Sequence, residues 1–154
     1  MRKIFFEVNK AYISGLLDGD GAIMACIEKH AEKKFGFRVR IYIKISQNNY
    51  KILNWCKLTT RMGNVRNVKN DEYEWRIRNQ EDAKFLLELL LPYLKIKKRQ
   101  GYLAKKILNT KIKTIKGLLK IAKLADALSK LNVRSQGRRK NFMAMIQKSI
   151  SPND

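Results

Sequence analysis

The chain is poor in the residues that carry thiol and imidazole chemistry. Its 154 residues include two cysteines, Cys26 and Cys56, and one histidine, His30. Neither cysteine has a partner at metal-ligand spacing, which excludes zinc fingers and Cys/His nucleophile sites. Nothing in the sequence is typical of a disulfide framework, so we expect a reducing compartment.

Long apolar runs and acidic residues are also scarce. No apolar run approaches the ~20 residues of a membrane span, and the N-terminal MRKIFFEVNK has no secretory signal. We therefore expect an intracellular protein, in the cytoplasm, the nucleoid or an organelle, that does not bind membranes. Thirteen Asp and Glu stand against 34 Lys and Arg, giving a net charge of +21. Such a chain attracts polyanions, and nucleic acid is the first candidate.

Apolar periodicity predicts a single α+β domain over residues 1–154. The predicted elements are a helix over 7–20, strands over 22–30 and 37–46, a helix over 49–62, a hairpin that turns near Asn70 and Asp71, and a helix over 80–91. This order, α-β-β-α-β-β-α, predicts a four-stranded antiparallel sheet with helices on one face. It occupies a core of about residues 5–110, and further helices follow over about 114–150.

One face of the predicted sheet is basic. Along 37–46, apolar residues alternate with basic and polar residues, and no acid occurs among the polar ones. A single such residue is most simply a solvated surface charge, but alternation on three strands favours a platform for nucleic acid. An antiparallel ribbon fits the DNA major groove, which is about 12 Å wide. The predicted contact residues are Met24, Glu28, His30, Arg38, Arg40, Tyr42, Lys44, Ser46, Asn64, Arg66, Val68, Glu74, Arg76 and Arg78.

Two acids and one basic loop on this surface allow more than one interpretation. Glu28 and Glu74 either accept a hydrogen bond from cytosine N4 or orient a neighbouring arginine, and we favour orientation. Arg138, Arg139 and Lys140 form either a phosphate clamp or a solvated loop.

Two aspartates lie among glycines at the predicted end of the first helix, in GLLDGDG. The helix dipole disfavours the negative charges of Asp18 and Asp20 there. Gly15 and Gly19 lie one turn apart with Ala11 on the same line, which lets two helices approach closely. If a second copy packed there, its Asp20 would meet this one near a twofold axis, and a hard divalent cation would offset the repulsion. A simple turn explains the same residues equally well.

The stretch ISGLLDGDG, at 13–21, resembles the nine-residue signature of the LAGLIDADG homing endonucleases. The matching residues are Gly15, Leu16, Asp18, Asp20 and Gly21. The chain departs from the signature at Ile13, Ser14, Leu17 and Gly19. One copy of the motif is present, so the chain is similar to the single-motif, homodimeric branch.

This resemblance implies a metal-dependent, site-specific double-strand DNA endonuclease acting at a long pseudo-palindromic site. It implies that Asp20 is the catalytic, metal-binding acid and that the Gly19 carbonyl is a further ligand. Gln47, Lys97 and Lys51 would organise water and charge at the scissile phosphate. Mg²⁺ is the expected cofactor, with Mn²⁺ or Ca²⁺ able to occupy the same site. The implied dimer interface consists of Ala11, Tyr12, Gly15, Leu16, Asp18 and Gly19.

Several alternatives remain open on sequence alone. The neighbouring Lys98 could take the role given to Lys97, and either could be a surface lysine. An RNA-binding intron maturase or a non-catalytic DNA-binding regulator would also carry this basic surface, because DNA and RNA are both polyanions. The presence of Asp20 favours the nuclease, since a maturase has less need of a metal site.

Overall fold

The computed structural model describes residues 6–132 and 140–150. The elements are α1 (Glu7–Asp20), β1 (Gly21–Lys29), β2 (Phe37–Gln47), α2 (Tyr50–Thr60), β3 (Asn64–Lys69), β4 (Glu72–Ile77), α3 (Gln80–Leu90), α4 (Lys98–Asn109), α5 (Ile115–Asn132) and α6 (Phe142–Ile150). The predicted α+β class and its α-β-β-α-β-β-α order are confirmed. Within the described ranges, every helix is too short or too polar to cross a bilayer.

The four strands form one antiparallel sheet in the order β1-β2-β4-β3. Ile43 of β2 lies opposite both Ile23 and Ile77, and its neighbour Ile45 lies opposite Trp75. All five side chains are buried. The period-two alternation read from the sequence therefore directs the apolar residues of three strands to one face. Helices α1 to α4 pack on the sheet, α5 packs on β1 and α4, and α6 packs on α5.

Helix α2 differs from its predicted form. Arg61 adopts a left-handed conformation, with φ of 56°, so the helix ends at Thr60, two residues before the predicted end at residue 62. The buried side chains are Leu53, Cys56 and Thr60. The Thr60 hydroxyl can be buried because it donates to the Cys56 carbonyl oxygen at 2.8 Å.

Helix α1 continues into β1 without an intervening loop. Gly21 occupies the junction, where an added Cβ would lie 2.5 Å from Leu17 Cδ1 and 2.8 Å from the Lys44 carbonyl oxygen. Any larger residue would force the helix away from β2. This close approach leaves Asp20 as the last helical residue, exposed at the end of the sheet.

Asp18 is turned inward from the same helix end. Its side chain is buried, and its carboxylate accepts hydrogen bonds from the backbone N–H groups of Lys95 at 2.8 Å and Lys97 at 2.9 Å. These amides lie at the start of α4, where negative charge is favoured. Asp18 was predicted in the dimer interface; its carboxylate binds within its own protomer, and its place in an interface stays a prediction.

We expect Asp18→Ala to lower the free energy of unfolding by about 1–3 kcal/mol, because two backbone N–H groups lose their acceptor. Asp18→Asn keeps one side-chain oxygen acceptor and should lose less. Denaturant unfolding followed by circular dichroism measures both variants. An alanine variant as stable as the wild type would contradict the assigned role.

Burial raises the pKa of the Cys56 thiol to about 12. The thiolate is the reactive form, so at about pH 8 the folded protein should not be labelled at Cys56 by thiol reagents. Cys26 is only partly buried and should react first. Mass spectrometry of labelled peptides, with and without denaturant, distinguishes the two cysteines. Rapid labelling of Cys56 in the native protein would contradict its placement in the core.

Candidate active site and nucleic-acid interface

Asp20 and Gln47 are in direct contact at the end of the sheet. The Gln47 amide Nε2 donates to Asp20 Oδ2 at 2.5 Å. The antiparallel register explains the contact, because Gly21 lies opposite Ile45 and the last residue of β2 therefore reaches the end of α1. Gln47 belongs to the strand itself, one residue beyond the predicted strand end.

A cleft of about 450 Å³ opens beside Asp20. It is lined by Gly19, Asp20, Gly21, Ala22, Ile96, Lys97, Gln100, Leu131 and Asn132. Lys97 Nζ donates to the Asp18 carbonyl oxygen at 2.5 Å, which holds the ammonium at the end of α1. The structure thus brings Gly19, Asp20 and Lys97 together, as the resemblance implied. Lys98 does not line the cleft, which favours Lys97 for the role at the phosphate.

Lys51 is placed differently from the other three implied catalytic residues. It lies exposed in the first turn of α2, and it does not line the cleft beside Asp20. The assignment of Lys51 to the site stays a prediction that rests on the resemblance alone.

Two polar residues of the cleft were not identified from the sequence. Gln100 is buried on α4, on the same face as Ala104 and Ile107. A single amide on an otherwise apolar stripe is the signal that could have found it. Asn132, the last residue of α5, donates from Nδ2 to the Ile23 carbonyl oxygen at 2.5 Å. Its place depends on how α5 docks on β1, for which the sequence carries no local signal.

The cleft offers few oxygen ligands of its own. Across residues 6–132 and 140–150, no three His, Cys, Asp or Glu side chains are close enough together to hold a metal ion. The donors at hand are the Asp20 carboxylate, the Gly19 carbonyl oxygen and the Gln47 amide oxygen. Hard divalent cations such as Mg²⁺ are bound by one or two carboxylates together with water and phosphate oxygens. One protomer therefore supplies part of such a site, and a second copy or a DNA phosphate would complete it.

The strand register aligns the predicted contact residues in rows across the sheet. Lys44 lies opposite both Ala22 and Arg76, and Arg76 lies opposite Asn64. The other aligned pairs are Met24 with Tyr42, Cys26 with Arg40, Glu28 with Arg38, Ser46 with Glu74, and Arg66 with Glu74. Strands β2, β3 and β4 therefore present a polar and basic face opposite the apolar face of the sheet, as the alternation predicted, and β1 adds Met24, Cys26 and Glu28 beside it.

Glu28 and Glu74, the two acids predicted to orient arginines, both bind basic side chains. Arg38 binds Glu28, with Arg38 Nε donating to Oε1 at 2.8 Å. This hydrogen bond holds the pKa of the Glu28 carboxyl below its usual value. Glu74 is buried among basic neighbours, which include Lys44 at 2.7 Å. Both placements agree with the orienting role that we favoured for these acids.

Tyr42 organises two more arginines. The guanidinium carbons of Arg40 and Arg78 lie 5.6 Å and 5.5 Å from the centroid of its ring. Arg40 also donates to the Arg78 carbonyl oxygen at 3.0 Å. The aromatic face attracts both cations. Tyr42 therefore positions two neighbouring arginines on the basic face of the sheet.

Two predicted contact residues, His30 and Val68, lie outside the regular pairing of the strands. His30 lies beyond the end of β1, and its backbone N–H donates to the Gly36 carbonyl oxygen at 2.8 Å. Val68 lies at an irregularity of the β3–β4 ladder, between Asn67 and Lys69.

The basic loop is described only in part. Arg138 and Arg139 lie outside the described residues. Lys140 is described, and its backbone N–H donates to Ser129 Oγ at 3.1 Å. Burial, with the negative charge of Glu28, raises the pKa of Cys26 on β1, and Lys140 is among the positive charges that partly offset this shift.

One face of α1 is open to a partner. Ala11, Gly15 and Gly19 are exposed at four-residue spacing. A Cβ added at either glycine would meet no atom within 4 Å. Glycine lowers helix stability by about 1 kcal/mol relative to alanine, and nothing in the protomer requires it at these two positions.

Apolar side chains flank this small-residue stripe. Tyr12 is half exposed, and its ring meets Trp55 of α2 edge to face, with centroids 5.5 Å apart. Val8 and Ile52 border the same shallow depression. Leu58, one turn beyond Trp55, is also exposed. An exposed apolar surface of this kind around the stripe is typical of an interaction site.

The comparison with protein families confirms the resemblance carried by the stretch at 13–21. Residues 13–108 match the model of a family described as LAGLIDADG endonuclease. The chain is also 29% identical over 144 residues to the DNA endonuclease I-CvuI of Chlorella vulgaris, a match that covers 90% of this chain and 86% of that protein.

Solved structures show the same architecture. A crystal structure of I-CvuI with the I-CreI target and 2 mM Mg, in which the DNA is not cleaved, has 26% identity and a TM-score of 0.80, covering 94% of this chain and 95% of that one. The archaeal intron-encoded homing endonuclease I-Vdi141I, complexed with DNA, is 22% identical with a TM-score of 0.80, covering 92% and 96%. The second match shows the fold alone. On the matched family model, the sheet and the signature together, the chain belongs to the LAGLIDADG endonuclease family and is a site-specific DNA endonuclease.

Proposed function

We propose that the chain acts as a homodimer that cuts both strands of a long pseudo-palindromic DNA site with the help of a divalent cation, Mg²⁺ in the first place. The observation that carries this proposal is the placement of Asp20. It is exposed at the end of α1, is hydrogen-bonded by Gln47, and faces a cleft with Lys97 at the edge of the basic sheet face.

The sheet is the proposed DNA platform. Its basic side chains come from β2, β3 and β4, which form one sheet with β1, and a twisted antiparallel ribbon of this kind enters the major groove. The relative I-CvuI is bound to DNA in crystals that contain Mg or Ca. That observation supports the choice of duplex DNA and of a divalent cation for this chain.

The residues of the cleft divide the work at the scissile phosphate. The Asp20 carboxylate and the Gly19 carbonyl oxygen would hold the cation, and Gln47 would keep the Asp20 carboxylate turned toward it. A bound cation would activate water and stabilise the charge of the leaving oxygen. The Lys97 ammonium, held at the end of α1, would stabilise negative charge on the phosphate.

A homodimer would complete the site and match the DNA. Two copies packed through the Ala11, Gly15 and Gly19 stripe would bring their Asp20 carboxylates close to one twofold axis. A protein twofold axis corresponds to a pseudo-palindromic DNA site. The half-exposed Tyr12 ring and the partly buried Trp55 ring would be covered around the stripe.

We expect Asp20→Asn to retain DNA binding and to reduce cleavage by about a hundredfold or more, because the acid that holds the cation is neutralised. The assay incubates a plasmid library carrying long randomised inserts with the protein. It is run with Mg²⁺, with EDTA, and with the variant. Cleavage at one recurring sequence that needs both Mg²⁺ and Asp20 is the expected result.

Asp71→Asn is the matched control, since Asp71 is exposed in the β3–β4 turn and loses the same charge outside the cleft. It should cleave like the wild type. Enrichment of bound sequences without cutting would contradict the nuclease. Loss of binding together with cleavage in Asp20→Asn would place Asp20 in folding or dimerisation instead.

Gly15→Leu should abolish the dimer and leave a folded monomer. The added side chain meets no atom of its own protomer at Cβ, but it would separate two closely packed helices. Sedimentation measures the mass, and circular dichroism measures the fold. Gly117→Leu makes the same change on α5, away from the stripe, and should remain dimeric. A dimer of Gly15→Leu as stable as the wild-type dimer would refute packing through this helix face.

A further inference from the structure

Glu74 is the one strongly buried acid on the basic face of the sheet, among the residues that the structure describes. Its side chain is 6% exposed, whereas Glu28, on the same face, is 41% exposed. Burial of a carboxylate is unfavourable unless cations and hydrogen bonds surround it. The cations around the Glu74 carboxylate therefore have to account for its burial.

Three cations from three strands converge on this carboxylate. Lys44 of β2 lies 2.7 Å from Oε1. Arg76 of β4 lies 2.8 Å from Oε2, and Arg66 of β3 lies 3.4 Å from the same oxygen. Burial raises the pKa of Glu74, but the hydrogen bonds and charges of Lys44 and Arg76 outweigh that effect and hold the pKa below its usual value. Glu74 is therefore ionised and bridges the strands through its two oxygens.

The bridge restricts the three basic side chains without removing them from the surface. The side chain of Lys44 is 30% exposed, that of Arg66 is 53% exposed, and that of Arg76 is 25% exposed. Long basic side chains lose rotational freedom when they bind a fixed partner. Here part of that freedom is already lost on folding, so the exposed ends of all three point in set directions before DNA arrives.

A negative charge at this position also opposes non-specific binding. Phosphates attract lysine and arginine regardless of sequence, whereas base edges are read only by side chains held in the right direction. A carboxylate that binds three cations weakens their attraction to phosphates and holds them in the directions needed to contact base edges. Sequence discrimination would then depend on the anion as well as on the arginines.

We propose that Glu74 is a positioning residue that sets the sequence discrimination of the endonuclease over the base pairs faced by Lys44, Arg66 and Arg76. This inference rests on the proposed function, because it requires that the basic face read DNA. A merely structural Glu74 would instead stabilise the fold and affect all DNA sequences equally.

The test compares Glu74→Gln with Glu72→Gln and the wild type. Glu72 lies two residues away on the same strand and is exposed, so the control makes the same change in net charge without releasing the three cations. The wild type first selects its site from a randomised duplex library. Affinities of all three proteins for that site and for unrelated DNA are then measured in EDTA, so that cleavage does not enter.

For Glu74→Gln we expect unchanged or tighter binding to unrelated DNA and weaker binding to the selected site. The ratio of the two affinities should fall by about tenfold or more, the size of one good base contact. A repeated selection should show the loss at a few adjacent base pairs in each half-site. Glu72→Gln should keep the wild-type ratio and the wild-type base preferences.

Two results would overturn the inference. One is a Glu74→Gln variant with the ratio and base preferences of the wild type, and the other is an equal loss of affinity for both DNAs. If Glu74→Gln does not fold, Glu74→Asp keeps the charge and shortens the arm. It should change preference at the same base pairs, and wild-type preference would refute the proposal. A wild-type protein that selects no DNA site would refute the proposed function itself.

Discussion

The direct passage of α1 into β1 is the constraint on which the other features depend. Gly21 allows it, because any Cβ at this position would collide with Leu17 and with the Lys44 carbonyl oxygen of β2. The junction turns Asp18 inward, where its carboxylate binds the backbone at the start of α4. It leaves Asp20 at the surface beside Gln47. Two acids separated by one residue thus have separate tasks: Asp18 joins α1 to the start of α4, and Asp20 faces the cleft.

The basic sheet face is ordered by a small number of anchors. A net charge of +21 would by itself make a surface of mutually repelling, mobile side chains. Glu28 holds Arg38, Tyr42 lies against two guanidinium groups, and Glu74 binds cations from three strands. A surface with fixed directions can distinguish sequences, whereas a mobile one senses mainly phosphate. The few acids of this chain therefore matter more than their number indicates.

The proposed homodimer relates the composition of the cleft to the open face of α1. Among the described residues, Asp20 is the single carboxylate that lines the cleft of one protomer. Packing within the protomer does not require glycine at positions 15 and 19 of α1, since an added Cβ would meet no atom within 4 Å. A second copy packed on this stripe would bring in the second carboxylate. The same association would bury the apolar surface around Tyr12 and Trp55 and give the protein the symmetry of a pseudo-palindromic DNA site.

Much of the fold and part of the site followed from the sequence by itself. Period-two and helical alternation determined which segments are strands and helices and which strand face is apolar, because those patterns are local. Asp20, Gln47 and Lys97 were named through the signature and its resemblance, and the structure places them together. Tertiary structure alone decided the inward turn of Asp18, the burial of Glu74, and the entry of Gln100 and Asn132 into the cleft. Each of these depends on contacts between elements distant along the chain, whose distances and docking angles no local pattern of residues specifies.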